Sequence, residues 1–222
     1  MKNFSKIIAV LIVLIIAIST SVFAAPDTQY ADKLYELGLF KGTDKGYELE
    51  KTLTREESAT ILVRLLGEET NVDADDFNEV FVDVDKDRWS YPYVMYCFEN
   101  EITKGTGANT FSPEQPISAE QFVTLVLRLL GYTETEPTTA LEQAIIHNLL
   151  NSEVARDLDS AEIFSRKDMV YIVYRSLKTP MSDGKILAQH LADKKVLTQS
   201  QAKEFDIYNS ENIDDLLNGL LN

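Results

Sequence analysis

The sequence predicts an all-α protein built from a helix-loop-helix unit used three times and followed by a short helical tail. Two observations carry that expectation. The first is a repeated pattern in Leu53-Thr-Arg-Glu-Glu-Ser-Ala-Thr-Ile-Leu-Val-Arg-Leu-Leu-Gly67, Ile117-Ser-Ala-Glu-Gln-Phe-Val-Thr-Leu-Val-Leu-Arg-Leu-Leu-Gly131 and Phe164-Ser-Arg-Lys-Asp-Met-Val-Tyr-Ile-Val-Tyr-Arg-Ser-Leu177. Each runs from an apolar residue through Thr or Ser to Glu, Gln or Asp three residues later, then into an amphipathic stretch with Arg at a fixed place. Their recurrence, at roughly 45 to 65 residues, is that of a supersecondary unit in tandem. The second is that apolar residues recur at helical spacing. Units of this size rarely bury their apolar faces alone, so three imply one cooperative assembly.

The chain opens with Lys2 and Lys6, an uncharged run from Ile7 to Ile18, and Val22-Phe23-Ala24-Ala25-Pro26. That order is a secretory signal peptide, residues 1–24, with cleavage after Ala24 because Pro26 obstructs a cut after Ala25. The apolar run is short of the roughly 20 residues a membrane span needs. The first unit is 28–67. Tyr30, Leu34 and Leu37 form its first stripe. Thr54 caps its second helix, with Glu57 closing a capping box. Gly67 stops it. After an acidic linker, 68–76, the second unit is 77–132. It has a helix from Trp89 through Phe98, a loop with Gly105 and Gly107, and a helix capped by Ser118 with Gln121. The third unit, 138–178, has a helix over Ala140 to Leu150 and another capped by Ser165 with Asp168. Residues 181–222 do not repeat. They hold expected helices from Gly184 to Lys195 and from Asn212 to Leu221.

Asp and Glu outnumber Lys and Arg by 36 to 21, a formal charge of −15. Losing Lys2 and Lys6 with the leader, and no acid, makes it −17. Such a field repels nucleic acid and anionic membranes. It leaves room for an anionic glycan wherever Arg and Lys cluster locally. Cys97, the single cysteine, has no intrachain partner; Val94, Phe98 and Ile102 at helical spacing make it a core residue.

The second unit resembles an S-layer homology (SLH) domain. The residues that carry this are Phe81-x-Asp83-Val84, Trp89, Ile102, Lys104-Gly105, Phe111-x-Pro113 and Ile117-Ser-Ala-Glu120. The first unit adds Gly38-Leu-Phe-Lys-Gly42 and Leu53-Thr-Arg-Glu-Glu57, near that family's Thr-Arg-Ala-Glu signature. The third keeps Phe164-Ser-Arg-Lys-Asp168. The resemblance implies a pseudo-threefold, three-pronged helical module. It implies grooves that bind pyruvylated secondary cell-wall polysaccharide of Gram-positive-type bacteria, and a non-catalytic, exported wall-binding protein. The glycan-binding positions it implies are Thr54, Arg55, Lys41, Gly42, Asp83, Trp89, Lys104, Gly105 and Arg166. Ala119 stands where the signature Arg belongs in the second unit, so one groove is expected to be weakened.

Elementary chemistry suits the role. Arg meets a carboxylate with two parallel hydrogen bonds, and a helix N-terminus adds N–H groups and positive partial charge. Arg55 is expected to be exposed. Trp89 serves either the core or a sugar face. Arg64, Arg128 and Arg175, late in each capped helix, read as snorkelling side chains. No cofactor is expected. Asp83-x-Asp85-x-Asp87 lacks the glycine and the twelfth-position acid of a calcium loop, and His147 and His190 have no ligand-spaced partner, so no metal is expected. No nucleophile elbow, phosphate loop or dinucleotide fingerprint occurs. The alternative is an SLH-fold module that has lost glycan binding and docks another exported protein, through residues 181–222 or the acidic surface.

Overall fold

In the computed structural model, residues 28–206 are described, and among them all regular structure is helical. The expected signal peptide and the helix at 212–221 lie outside the described residues. The helices are α1 (Gln29–Glu36), α2 (Arg55–Leu65), α3 (Tyr91–Glu99), α4 (Ala119–Leu129), α5 (Ala140–Ile146), α6 (Ser152–Ser160), α7 (Arg166–Ser176), α8 (Leu187–Asp193) and α9 (Gln199–Lys203). No helix among the described residues is long and apolar enough to cross a membrane.

Three helices form the centre. α2, α4 and α7 are each eleven residues long, and each starts with a complete capping box. Thr54 Oγ1 accepts the Glu57 N–H at 3.2 Å, while Glu57 accepts the Thr54 N–H at 2.8 Å. Ser118 with Gln121 and Ser165 with Asp168 repeat the exchange. At the other end of α2 the N–H groups of Gly67 and Glu68 return to the carbonyls of Arg64 and Val63. This closure needs a left-handed residue, and Gly67 supplies it at φ +75°. Leu62, Val63 and Leu65 of α2, Phe122 and Val126 of α4, and Met169 and Ile172 of α7 are fully buried.

The sequence units do not close on themselves. α1 packs on α7, α3 on α2, and α5 on α4. Each first helix therefore leans on the capped helix of the preceding unit, and the first unit completes the last. Tyr30 of α1 meets Tyr171 and Tyr174 of α7, with ring centroids 5.3 and 4.7 Å apart. Cys97 of α3 is buried and points its thiol at the Ala59 carbonyl of α2.

Several boundaries differ from those expected. The helix expected from Trp89 begins at Tyr91, after a turn that leaves Trp89 exposed. The helix expected over 140–150 ends at Ile146, because Asn148 takes a positive φ of 59°. α6 was not expected; Asn151 caps it by accepting the Val154 N–H. Nor was α9, whose capping box is Thr198 with Gln201. The helix expected over 184–195 shrinks to α8. Residues 181–206 are no appendage. Leu187, Leu191, Leu197 and Phe205 are buried, Phe205 meets Tyr174, Lys33 of α1 pairs with Glu204, and Val196 lies so close to Gly67 that any side chain there would collide.

Candidate functional site

The N-terminus of each capped helix faces the loop of another unit, and two of these junctions are closed. At α2, the N–H groups of Arg55 and Glu56 donate to the carbonyls of Gln115 and Pro113 at 3.0 and 3.1 Å, and the Ile117 N–H returns to the Leu53 carbonyl. At α7, the N–H groups of Arg166 and Lys167 donate to Lys51 and Leu49 at 2.8 and 2.9 Å. An extended loop segment thus satisfies the first N–H groups of each helix.

The signature arginines belong to these closures. Arg55 Nε donates to the Phe111 carbonyl at 2.7 Å, and its guanidinium lies 4.8 Å over the Phe111 ring. Arg166 Nε donates to the Tyr47 carbonyl at 3.0 Å, over the Phe40 ring at 5.5 Å. The expected exposure of Arg55 is incorrect. It is 4% exposed, and Arg166 8%, because the neighbouring loop covers the alkyl stem and Nε edge. Burial pulls the Arg55 pKa down, and the nearby Asp83 carboxylate opposes that pull. The Nη atoms of both arginines make no hydrogen bond among the described residues. No buried side-chain nitrogen or oxygen there lacks a partner, so these Nη atoms reach solvent. Each guanidinium is held at its Nε edge, and the little of it that reaches solvent is at Nη, the side a carboxylate would use.

Asp83 holds the loop facing Arg55, accepting the Phe111 and Ser112 N–H groups at 2.8 and 2.7 Å. Gly105, at φ +81°, lets the preceding turn pass Phe81 and Thr110. A Cβ there would sit 2.5 Å from the Thr110 carbonyl oxygen. Gly42 abuts the Thr43–Gly46 turn. Trp89, 55% exposed, lies beside Tyr93 with centroids 6.5 Å apart, which removes its core-packing role. Thr54 is occupied as the cap of α2. Lys41 and Lys104 are exposed but engaged, with Glu69 and Glu136 respectively, each at 2.7 Å.

Two features escaped sequence reasoning. Glu56, where the signature has Ala, is buried and accepts Arg88 Nε and Nη2 at 2.7 and 2.9 Å and the Ser90 hydroxyl at 2.6 Å. It ties α2 to the segment that presents Trp89. The late arginines do not snorkel. Arg64 grips Glu69, buried Arg128 donates to the Thr135 carbonyl, and Arg175 donates to the Leu149 and Asn148 carbonyls.

The third junction is open. Ala119 and Glu120 face residues 158–164 across a cleft of about 460 Å³. Two changes open it together. Ala119 replaces the arginine, and α6 fills the place of the loop that elsewhere offers carbonyls. Leu158, seven residues before Ser165 as Tyr47 and Phe111 are before Thr54 and Ser118, is helical rather than extended. No group of three His, Cys, Asp or Glu side chains among the described residues is arranged to hold a metal ion.

Comparison with known proteins bears on this arrangement. Residues 80–123 match the family model of the S-layer homology domain. The chain is 34% identical to a surface layer protein of Brevibacillus choshinensis over 131 residues, 54% of this chain and 12% of that protein. It is 27% identical to a cell surface protein of Thermoanaerobacter kivui over 224 aligned residues, 90% of this chain and 28% of that one. It is 30% identical to a cellulosome-anchoring protein of Acetivibrio thermocellus over 98 residues, 44% and 20% respectively. The chain thus spans less than a third of the length of each of these relatives.

Proposed function

Starting from the S-layer homology domain at residues 80–123, which with the relatives places the chain at the cell wall or surface layer, we propose that it anchors there by binding an acidic secondary cell-wall polysaccharide. The 28–67 and 138–178 segments act as further, more diverged units of the same kind. The single observation that carries the reading is the state of Arg55 and Arg166. Each is fixed through Nε and ring stacking while its Nη edge reaches solvent at a helix N-terminus. A pyruvyl carboxylate fits that edge bidentately. Exposed Trp89, Asp83 and the Lys41-Gly42 and Lys104-Gly105 turns line or shape the approach. The protein is exported and acts without catalysis, on a Gram-positive-type wall.

Co-sedimentation with wall sacculi, before and after acid extraction of the polysaccharide, tests this. Binding that vanishes with the polysaccharide supports the reading, and binding to neither preparation contradicts it. The open third junction favours a second activity there: with no Arg and no closing loop, that face suits a protein contact better than an acidic glycan.

A further inference from the structure

We infer that a second carboxylate receptor exists in each of the first two units, formed by Lys41 with Arg64 and by Lys104 with Arg128, and that the chain's own linker glutamates fill both. The inference rests on the reading that the ligand is an acidic glycan. Lys41 Nζ donates to Glu69 Oε2 at 2.7 Å. Arg64 donates Nη2 to Glu69 Oε1 at 2.7 Å and Nε to Oε2 at 3.0 Å. Lys104 Nζ donates to Glu136 Oε1 at 2.7 Å, and Arg128 Nη2 approaches the same oxygen at 3.3 Å. The lysines come from the same turn of each unit. The arginines are the tenth residue of each capped helix.

The glutamates are not equivalent in sequence. Glu69 follows its arginine by five residues and Glu136 by eight, in unlike linkers. A carboxylate reaches the same cationic pair by two routes, so the pair rather than the linker is the common element. The third unit supplies the contrast. It has no lysine at that turn, and Arg175 donates to two main-chain carbonyls.

Lys41 and Lys104 are more than half exposed, at 59% and 55%. Ion pairs so exposed are weak, so a glycan carboxylate can displace the glutamate from the lysine. Binding is then an exchange of carboxylates at each lysine, while Arg64 keeps its two hydrogen bonds to Glu69. The glutamates hold the receptors in their charged, ordered form until the glycan arrives, and they limit its affinity.

The test measures the affinity of the full chain for extracted wall polysaccharide, in wild type and in Glu69→Gln and Glu136→Gln. Each substitution is expected to tighten binding by roughly two- to five-fold, the equivalent of one exposed ion pair. Adding Lys41→Ala to Glu69→Gln should erase the gain. Unchanged or weaker binding in both glutamine variants, with melting temperatures preserved, would overturn the inference. Should Glu69→Gln unfold, Glu136→Gln, whose glutamate is half exposed, decides alone. Should wild type bind no polysaccharide, the preceding reading fails, and pyruvate alone reads the receptor. Pyruvate should then shift the NMR signal of the Lys41 ammonium group at lower concentration in Glu69→Gln than in wild type. No shift in either would overturn the receptor itself.

Discussion

Arg55 shows how one side chain can be both structural and poised for a ligand. Its Nε bond crosses 56 residues to Phe111, and the matching bond of Arg166 crosses 119 to Tyr47. The helix-start arginine and its signature were legible in the sequence. The burial was not, because it depends on a loop supplied by another unit. Arg55→Ala should therefore weaken wall binding and also destabilise the fold by about 1–3 kcal/mol, since a buried carbonyl loses its donor. Arg55→Lys should rescue little of either, lacking the planar fork. Denaturant unfolding beside sedimentation separates the two effects, and full stability in Arg55→Ala would contradict the assignment. Cys97 was legible from its apolar neighbours. Burial pushes its thiol pKa up, so a thiol reagent should ignore the native protein and react once it unfolds.

Among the elements, the capping boxes of α2, α4 and α7 could be read directly, because cap and partner are three residues apart and need no tertiary context. Thr54→Ala should cost about 1 kcal/mol, the usual worth of such a cap, measured by thermal or denaturant melting. α6 was hidden by its position: it occupies the place where the other units have a glycine turn, and a repeat-based reading carried that turn over. Its presence adds to the weakening expected at Ala119. Ala119 looked like a single lost arginine, yet residues 158–160 offer no extended loop for a restored side chain to grip. Ala119→Arg should therefore leave polysaccharide affinity unchanged. A clear gain would mean that the third junction closes in solution.

At the scale of the molecule, the cyclic exchange of helices and the packing of residues 181–206 against α1, α2 and α7 make one cooperative body. The all-α class followed from periodicity, whereas the exchange rests on contacts between distant segments that no local pattern encodes. Cooperativity predicts an acid response as well. Hydrogen bonds from Arg64, then Lys41, outweigh burial and hold the Glu69 pKa down from 4.5 to about 2. A depressed pKa adds stability that is complete above 4.5 and lost as pH falls toward 2. Glu69→Gln should flatten that part of the stability-against-pH curve, as unfolding free energies of the two proteins would show.

The central claim is recognition of a carboxylate at the arginine junctions. Trp89, the single tryptophan, is exposed beside the Arg88–Glu56 contact and reports on that face. The direct measurement is a Trp89 fluorescence titration with wall polysaccharide, intact and with its carboxylates chemically reduced to alcohols. Saturable binding to the intact glycan, lost on reduction and weakened in Arg55→Ala, is the predicted result; equal affinity for the two glycans would contradict the account.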